Sequence, residues 1–310
     1  MARGNKVVLA YAPQVAVETK PASGWKTLPR TSDSLNNTVE LTDSETINES
    51  RLKTAGMVTS ATAEGDVEVE MIKGSYDDLI EAAAGNNWAT DTITFGGDVV
   101  KMFAIEKGHK DIGQYHYWSG MRVNSFSLDI PESGFIGMTF GFMGSGYETA
   151  AVQYSSAPTT TATSPKATSL SVTDVQIDNV TTKGVSCVTA FSFELNNNIE
   201  RQNCLGAGLY GNELMEMMAD ITGSLTHAYS KNTQLMLDKQ LTGAPVQIQV
   251  TISFNNDPDT YVLTIPKAQL SGDVPSGGME KLETQLTYTV YADTIADAPT
   301  LVRKETAPTP

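Results

Sequence analysis

Hydrophobic and polar residues alternate cleanly over several short stretches of this chain. From Gly65 to Met71, the residues Val67, Val69 and Met71 fall on one side and Asp66, Glu68 and Glu70 on the other. Phe126, Leu128 and Ile130 alternate with Ser125, Ser127 and Asp129. After the turn Pro131-Glu132-Ser133-Gly134, Ile136, Met138, Phe140 and Phe142 alternate with Gly137, Thr139 and Gly141. Later, Val246, Ile248, Val250, Ile252 and Phe254 oppose Gln247, Gln249, Thr251 and Ser253. Leu282, Leu286, Tyr288 and Val290 oppose Glu283, Gln285, Thr287 and Thr289. Period two predicts strands with one buried and one wet face. Turns are predicted at Asn255–Asp259 and at Ser276-Gly277-Gly278, and Tyr261, Leu263 and Ile265 start a return strand that Pro266 interrupts or ends.

Helical spacing is scarce. Leu79, Ile80, Ala83 and Ala84 make one apolar stripe, with Ser75 as predicted N-cap, Asp78 three residues on and Gly85-Asn86 as the stop. Leu214, Met215, Met217 and Met218 have helical spacing too, and predict a short helical turn leading into a strand from Asp220 to Thr226. Residues 1–33, with Pro13, Pro21 and Pro29, read as an irregular N-terminal arm, either packed on a neighbour or a mobile terminus. The clearest boundary is the Ser/Thr/Pro-rich run within 151–169.

The two sides of that boundary resemble each other. Glu40-Leu41 recurs as Glu194-Leu195 and Asp66-Val67 as Asp220-Ile221, both 154 positions apart. Each side also carries a helix-like patch, an alternating strand, a tight turn and a second strand in that order. We therefore expect an all-β chain with short helices, built as tandem units at 34–150 and 170–293 with a tail at 294–310. Repeated surfaces suit self-assembly better than a single cleft.

Charge sharpens this picture. The net charge is −15, with 12 basic and 20 acidic residues in 1–150 and 9 and 16 in the rest. The halves are thus −8 and −7, so no acidic tail explains the total. Tight nucleic-acid binding needs Lys and Arg and is not expected, but such a surface can stand beside nucleic acid as a non-adhesive wall, or simply keep the protein soluble. Two cysteines cannot make a disulfide framework. Cys187, in line with Val185, Phe191 and Phe193, is expected in the core, and Cys204 nearer the surface. Val7 to Ala10 is too short for a signal-peptide core and no stretch is long enough to span a membrane, so assembly in the cytoplasm and no membrane partner are expected.

Catalytic or cofactor chemistry is not indicated. His109, His116 and His227 lack H-E-x-x-H or paired-Cys spacing, and Gly144-Ser145-Gly146 lacks the flanks of a nucleophile elbow or phosphate loop. Tyr115, Tyr117 and Trp118 read as core or interface, or as a platform for a sugar or base. Asp77-Asp78 open a helix, and Glu68 and Glu70 read as a solvated face or as a carboxylate pair. No catalytic, cofactor or metal residue is assigned.

The series Glu40-Leu41-Thr42-Asp43-Ser44-Glu45-Thr46-Ile47-Asn48-Glu49-Ser50-Arg51-Leu52-Lys53-Thr54, Gly65-Asp66-Val67-Glu68-Val69-Glu70 and Gly74-Ser75-Tyr76-Asp77-Asp78-Leu79-Ile80 resembles the major tail tube proteins of long, non-contractile-tailed phages, with the Chi-like siphophages as nearest kin. Thr222-Gly223-Ser224-Leu225, Tyr261 to Lys267 and Leu286 to Tyr291 carry a related pattern, so the resemblance covers about 34–293. It implies two β-sandwich tube domains whose sheets join into a closed inner barrel as rings assemble, a virion location, and a hollow conduit for genome ejection. Implied partners are further copies of the chain in stacked rings, the tape measure protein, tail terminator and baseplate proteins, and passing double-stranded DNA. Six domains per ring and two per chain imply a trimer with pseudo-sixfold symmetry, or else a hexamer with one half outside. Strand alternation makes Asp66, Glu68, Glu70, Asp220, Thr222 and Ser224 the candidate lumen-facing residues. The rival reading is a β-sandwich adhesin or decoration module on the virion surface.

Overall fold

The computed structural model describes residues 3–304 except 48, 50, 51, 207, 212, 255–259, 278 and 280. The turn expected at Asn255–Asp259 and part of the glycine turn at 276–278 lie outside the described residues. The chain is mostly β. Its first half contains β1 (Val7–Gln14), β2 (Lys26–Thr27), β3 (Ser32–Asp33), β4 (Asn36–Ser44), β5 (Thr54–Glu70), α1 (Asp77–Ala84), β6 (Thr92–Thr94), β7 (Met102–His109), β8 (Gln114–Ile130), β9 (Gly137–Gly144) and β10 (Gly146–Ala150). The second half contains β11 (Val172–Ile177), β12 (Val180–Thr181), β13 (Val188–Asn196), β14 (Glu200–Gln202), β15 (Glu213–Met215), β16 (Asp220–Ala228), α2 (Lys231–Thr242), β17 (Val246–Ser253), β18 (Thr260–Gly272), β19 (Glu283–Val290) and β20 (Thr300–Lys304).

Strand neighbours follow one path in each half, all antiparallel. The first half runs from β3 and β4 through β5, β9, β8 and β7 to β1. The second runs from β13 through β16, β19, β18 and β17 to β11. β10 flanks β8 as β20 flanks β18. The long strands β8 and β18 each serve two layers. The start of β8 pairs with β7 and β10, and its end pairs with β9 and, on the opposite edge, with β13 of the second half. The change of layer comes at Gly120, whose φ of +63° an L side chain resists. Gln14 Oε1 accepts the Gly120 N–H at 2.7 Å, so β1 pins the bend.

The pairing of β8 with β13 makes one sheet eight strands wide: β3 and β4 lie end to end along β5 at one edge, followed by β5, β9, β8, β13, β16, β19 and the end of β18. It is open in the single chain. Its apolar side packs into one core with α1 and α2. At the seam between halves, Phe126 and Phe193 lie 6.2 Å apart, and Phe95 covers both at 6.3 and 5.3 Å. β20 adds a second link by pairing with β6 and β18.

Several expectations change here. The run Val7–Gln14 is a strand, with Leu9, Tyr11 and Ala12 buried. Burial on both faces removes the alternation that would have shown it. α1 begins at Asp77, and Ser75 does not cap it; the Ser75 hydroxyl donates to the Ala162 carbonyl instead. The helical turn expected over Leu214–Met218 is the short strand β15, and Met217 and Met218 are exposed. The second helix, α2, lies at 231–242, capped by Ser230 and closed by Gly243. Cys187 is exposed, because the strand carrying Phe191 and Phe193 starts only at Val188. Tyr117 and Trp118 are buried and offer no stacking platform. The segment 151–169 is irregular but packed: Tyr154 and Ser155 donate their N–H groups to the buried Glu106 carboxylate, and Ala167 is fully buried.

Of the two repeated dipeptides, only one holds equivalent places. Asp66 and Asp220 both stand two residues before a position facing the third strand of the path, Glu68 on β9 and Thr222 on β19. Glu40, however, pairs with Ser60 out on the β4–β5 hairpin, whereas Glu194 pairs with Thr222 within the shared sheet.

His227 provides a test of the second core. Its ring is fully buried, Nδ1 lies 3.0 Å from Ser186 Oγ, and Nε2 has no partner. Burial lowers its pKa from 6.5 to about 4. Below 6.5 the unfolded chain takes up a proton that the folded chain refuses, so stability falls as pH drops toward 4. At about 1.4 kcal/mol per pH unit, the loss between pH 6.5 and 5 is about 2 kcal/mol. Denaturant titrations at the two pH values should show this loss, and His227→Leu should abolish most of it.

Candidate functional surface

The wet side of the eight-stranded sheet is the most distinctive surface of the molecule. Strand register aligns its residues into rows that cross both halves. One row reads Ser32, Glu68, Thr139, Ser127, Glu194, Thr222, Thr289, Gln269. The next reads Glu70, Gly137, Asp129, Ser192, Ser224, Thr287, Ser271. A third reads Asp66, Gly141, Ser125, Asn196, Asp220. All six candidate residues, Asp66, Glu68, Glu70, Asp220, Thr222 and Ser224, therefore lie on one face of one sheet. The rows add Asp129 and Glu194, which alternation also exposes: each sits between or beside apolar neighbours, but only the pairing of β8 with β13 places them beside the candidates.

Hydrogen bonds tie this face together. Ser32 Oγ donates to Glu68 at 2.7 Å, and Asn198 Nδ2 donates to Asp220 at 2.8 Å. The hydroxyls of Ser192 and Ser224 lie 2.9 Å apart across strands. The face carries hollows of about 420 Å3 beside Asp66 and about 410 Å3 beside Glu194 and Asp220. The hollow beside Asp66 forms where β5 meets the β3–β4 run closely. A Cβ on Gly65 would sit 2.6 Å from the Leu35 Cα, and its φ of +147° already disfavours a side chain.

Electrostatics are strongly one-signed. Cations that border the face are held by acids: Lys166 by Glu70, Lys267 by Asp293 at 3.1 Å and Asp297 at 3.0 Å, and Lys281 by Glu283 at 2.5 Å. Glu70 is thus partly neutralised, leaving Asp66, Glu68, Glu194 and Asp220 as the stronger sources of field. Desolvation raises the pKa of Asp129. Such a surface repels polyanions and has no fork of donors to hold a phosphate.

The histidines stand apart from it. His116 Nδ1 lies 2.7 Å from the Tyr147 hydroxyl beside β10, and His227 is in the core. Among the described residues no three His, Cys, Asp or Glu side chains gather into a metal-holding group.

No curated protein matches the chain. A family model described as phage tail tube protein matches residues 4–290, nearly the whole sequence. The chain belongs to the phage tail tube protein family and is a structural component of the virion tail.

Proposed function

We propose that three copies of this chain form a ring of pseudo-sixfold symmetry, and that rings stack into a hollow tube with the acidic, hydroxyl-rich face toward the bore. The two halves then act as tandem tube domains, extended beyond residues 34 and 293 to include β1 and β20. The observation that carries this reading is the run of acids and hydroxyls in register across both halves on one face of one sheet. A duplex bears about one negative charge per 1.7 Å of axis. Acidic walls keep it off the surface, whereas basic walls would bind and slow it. The same bore holds the tape measure protein before ejection, with terminator and baseplate proteins at the ends.

Cryo-electron microscopy of tails or of self-assembled tubes tests the proposal. Three chains around a bore lined by Glu68 and Glu194 are expected. Six chains per ring would assign only one half to the wall, and the polar rows on the outer surface would overturn the conduit reading.

A further inference from the structure

The two halves of the chain touch at two places, one behind the other. At the seam, β13 pairs with the end of β8, from Phe191–Ile130 to Asn196–Ser125. Behind it, on the apolar side of the sheet, β20 of the second half pairs with both β6 of the first half and β18. Phe95 stands between the two contacts. Its ring packs on Phe126 and Phe193 of the seam, and its N–H donates to the Pro299 carbonyl at 2.9 Å, just before β20.

We propose that β20 is a strut that fixes the angle between the halves, and that Arg303 is the residue that positions it. The consequence for assembly rests on the tube reading: three chains close a ring only if each turns the wall through one third of a circle. The strut itself is a property of the single chain.

One ladder of paired strands does not set such an angle. Neighbouring strands twist against each other by anything from about −10° to about −35°. A second contact removes that freedom by leverage. With packed layers about 10 Å apart, a tilt of about 10° at the seam shifts the strut by about 2 Å, enough to break a hydrogen bond.

The strut is short, so side chains must hold it. β6 has only 3 residues, too few to make a firm contact through backbone pairing alone. Arg303 gathers the rest. Its N–H donates to the Asp91 carbonyl at 2.6 Å, its Nη1 meets the Asp77 carboxylate, and its guanidinium lies 4.9 Å from the centre of the Trp88 ring. Trp88 Nε1 donates to the Asp77 carbonyl at 3.4 Å, so ring and carboxylate form one support at the start of α1. Tyr261, near the start of β18, reaches the same place. Its hydroxyl accepts the Gly74 N–H at 3.1 Å and donates to Asp77 at 3.4 Å. A planar, forked cation serves the carboxylate and the ring together, which a lysine ammonium does not. Burial raises the Asp77 pKa against the pull of Arg303, so this carboxylate is desolvated and depends on its partner.

The test is Asp77→Asn/Arg303→Met, which removes both partners and leaves no buried charge unpaired. In the single chain, hydrogen exchange at the Phe95 N–H should speed up by about tenfold or more. The Asn197 N–H, bonded to the Asn124 carbonyl beside the seam at 2.7 Å, should change by less than about twofold. Assembled material should show open arcs, or rings of more than one chain number, in place of one class. A disulfide across the strut should reverse this. Thr94 and Thr300 are directly opposed, and the bonded pair Phe95–Pro299 beside them makes theirs a non-hydrogen-bonded pair with Cα atoms about 4.5 Å apart, within disulfide range. With Cys187 and Cys204 changed to Ser, Thr94→Cys/Thr300→Cys added to the variant should restore one ring class when oxidised and lose it on reduction.

A wild-type exchange rate at Phe95 would show that Arg303 does not hold the strut. Fast exchange with wild-type rings, or a disulfide that forms without restoring them, would show that the strut does not set the angle. Each result overturns the proposal. Should the double variant not fold, Arg303→Lys keeps a charge beside Asp77 and is read by the same exchange: a Phe95 rate within about twofold of wild type removes the role given to Arg303. Tails that contain no copy of this chain sink the tube reading and leave the strut, measured on the single chain, standing.

Discussion

Phe193→Ala should lower the unfolding free energy by about 3–5 kcal/mol, the range for emptying a fully buried aromatic site. Phe193 is buried between Phe95 and Phe126, and its backbone pairs with Leu128 on one side and Gly223 on the other. The cavity would open at the seam that joins the halves. The neighbours cannot close it, because Phe126 is also held by Phe140 at 5.2 Å and Phe95 sits on a separate strand-end. A domain of this kind has about 5–15 kcal/mol in total, so the loss is a large fraction. Urea titrations by fluorescence and circular dichroism should show a lower midpoint, and separation of the two probes would mean that the halves now unfold apart. Leu235→Ala, at an exposed position on α2, should change stability by no more than about 0.5 kcal/mol. An unchanged midpoint for Phe193→Ala would mean that the halves are not packed through this residue.

Much of that core was legible from alternation alone. Val67, Val69, Phe126, Leu128, Phe140, Ile248, Val250 and Leu286 are all buried, because a strand with one wet face writes its register into its sequence. What period two cannot carry is the identity of the neighbouring strand. The link from β8 to β13 spans about sixty residues of chain and rests on Phe191, Phe193 and Leu195 meeting Ile130, Leu128 and Phe126. Nothing local announces it. α2 was hidden for another reason: only Thr233 and Leu237 are fully buried, so its apolar stripe is thin. The methionines at 215, 217 and 218 misled in the opposite direction, having helical spacing without burial. The surface followed the same rule. Asp66, Glu68 and Glu70 were readable within one strand, whereas their alignment with Glu194 and Asp220 needed the pairing of distant strands.

That alignment makes charge reversal the decisive functional experiment. Asp66→Lys, Glu68→Lys and Asp220→Lys together would set three cations per chain on the face proposed to line the bore. Asp66, Glu68 and Asp220 are exposed and Asp66 and Glu68 have no cationic partner among the ion pairs of the described residues, so folding and tail assembly should survive. DNA transit should not. Each phosphate neutralised contributes to log K with a salt slope of about −0.9, and the contacts repeat in every ring, so braking accumulates along the tube. We expect a drop of about tenfold or more in infective titre at unchanged particle number, with slower DNA release in vitro. Added salt should restore release, since screening at about 0.15 M already shortens the Debye length to about 8 Å and higher salt shortens it further. The neutral triple variant, Asp66→Asn/Glu68→Gln/Asp220→Asn, removes repulsion without adding attraction and should fall between wild type and the lysine variant. A salt-insensitive defect would point to assembly instead, and release at the wild-type rate from lysine-bearing tails would place this face outside the path of the genome.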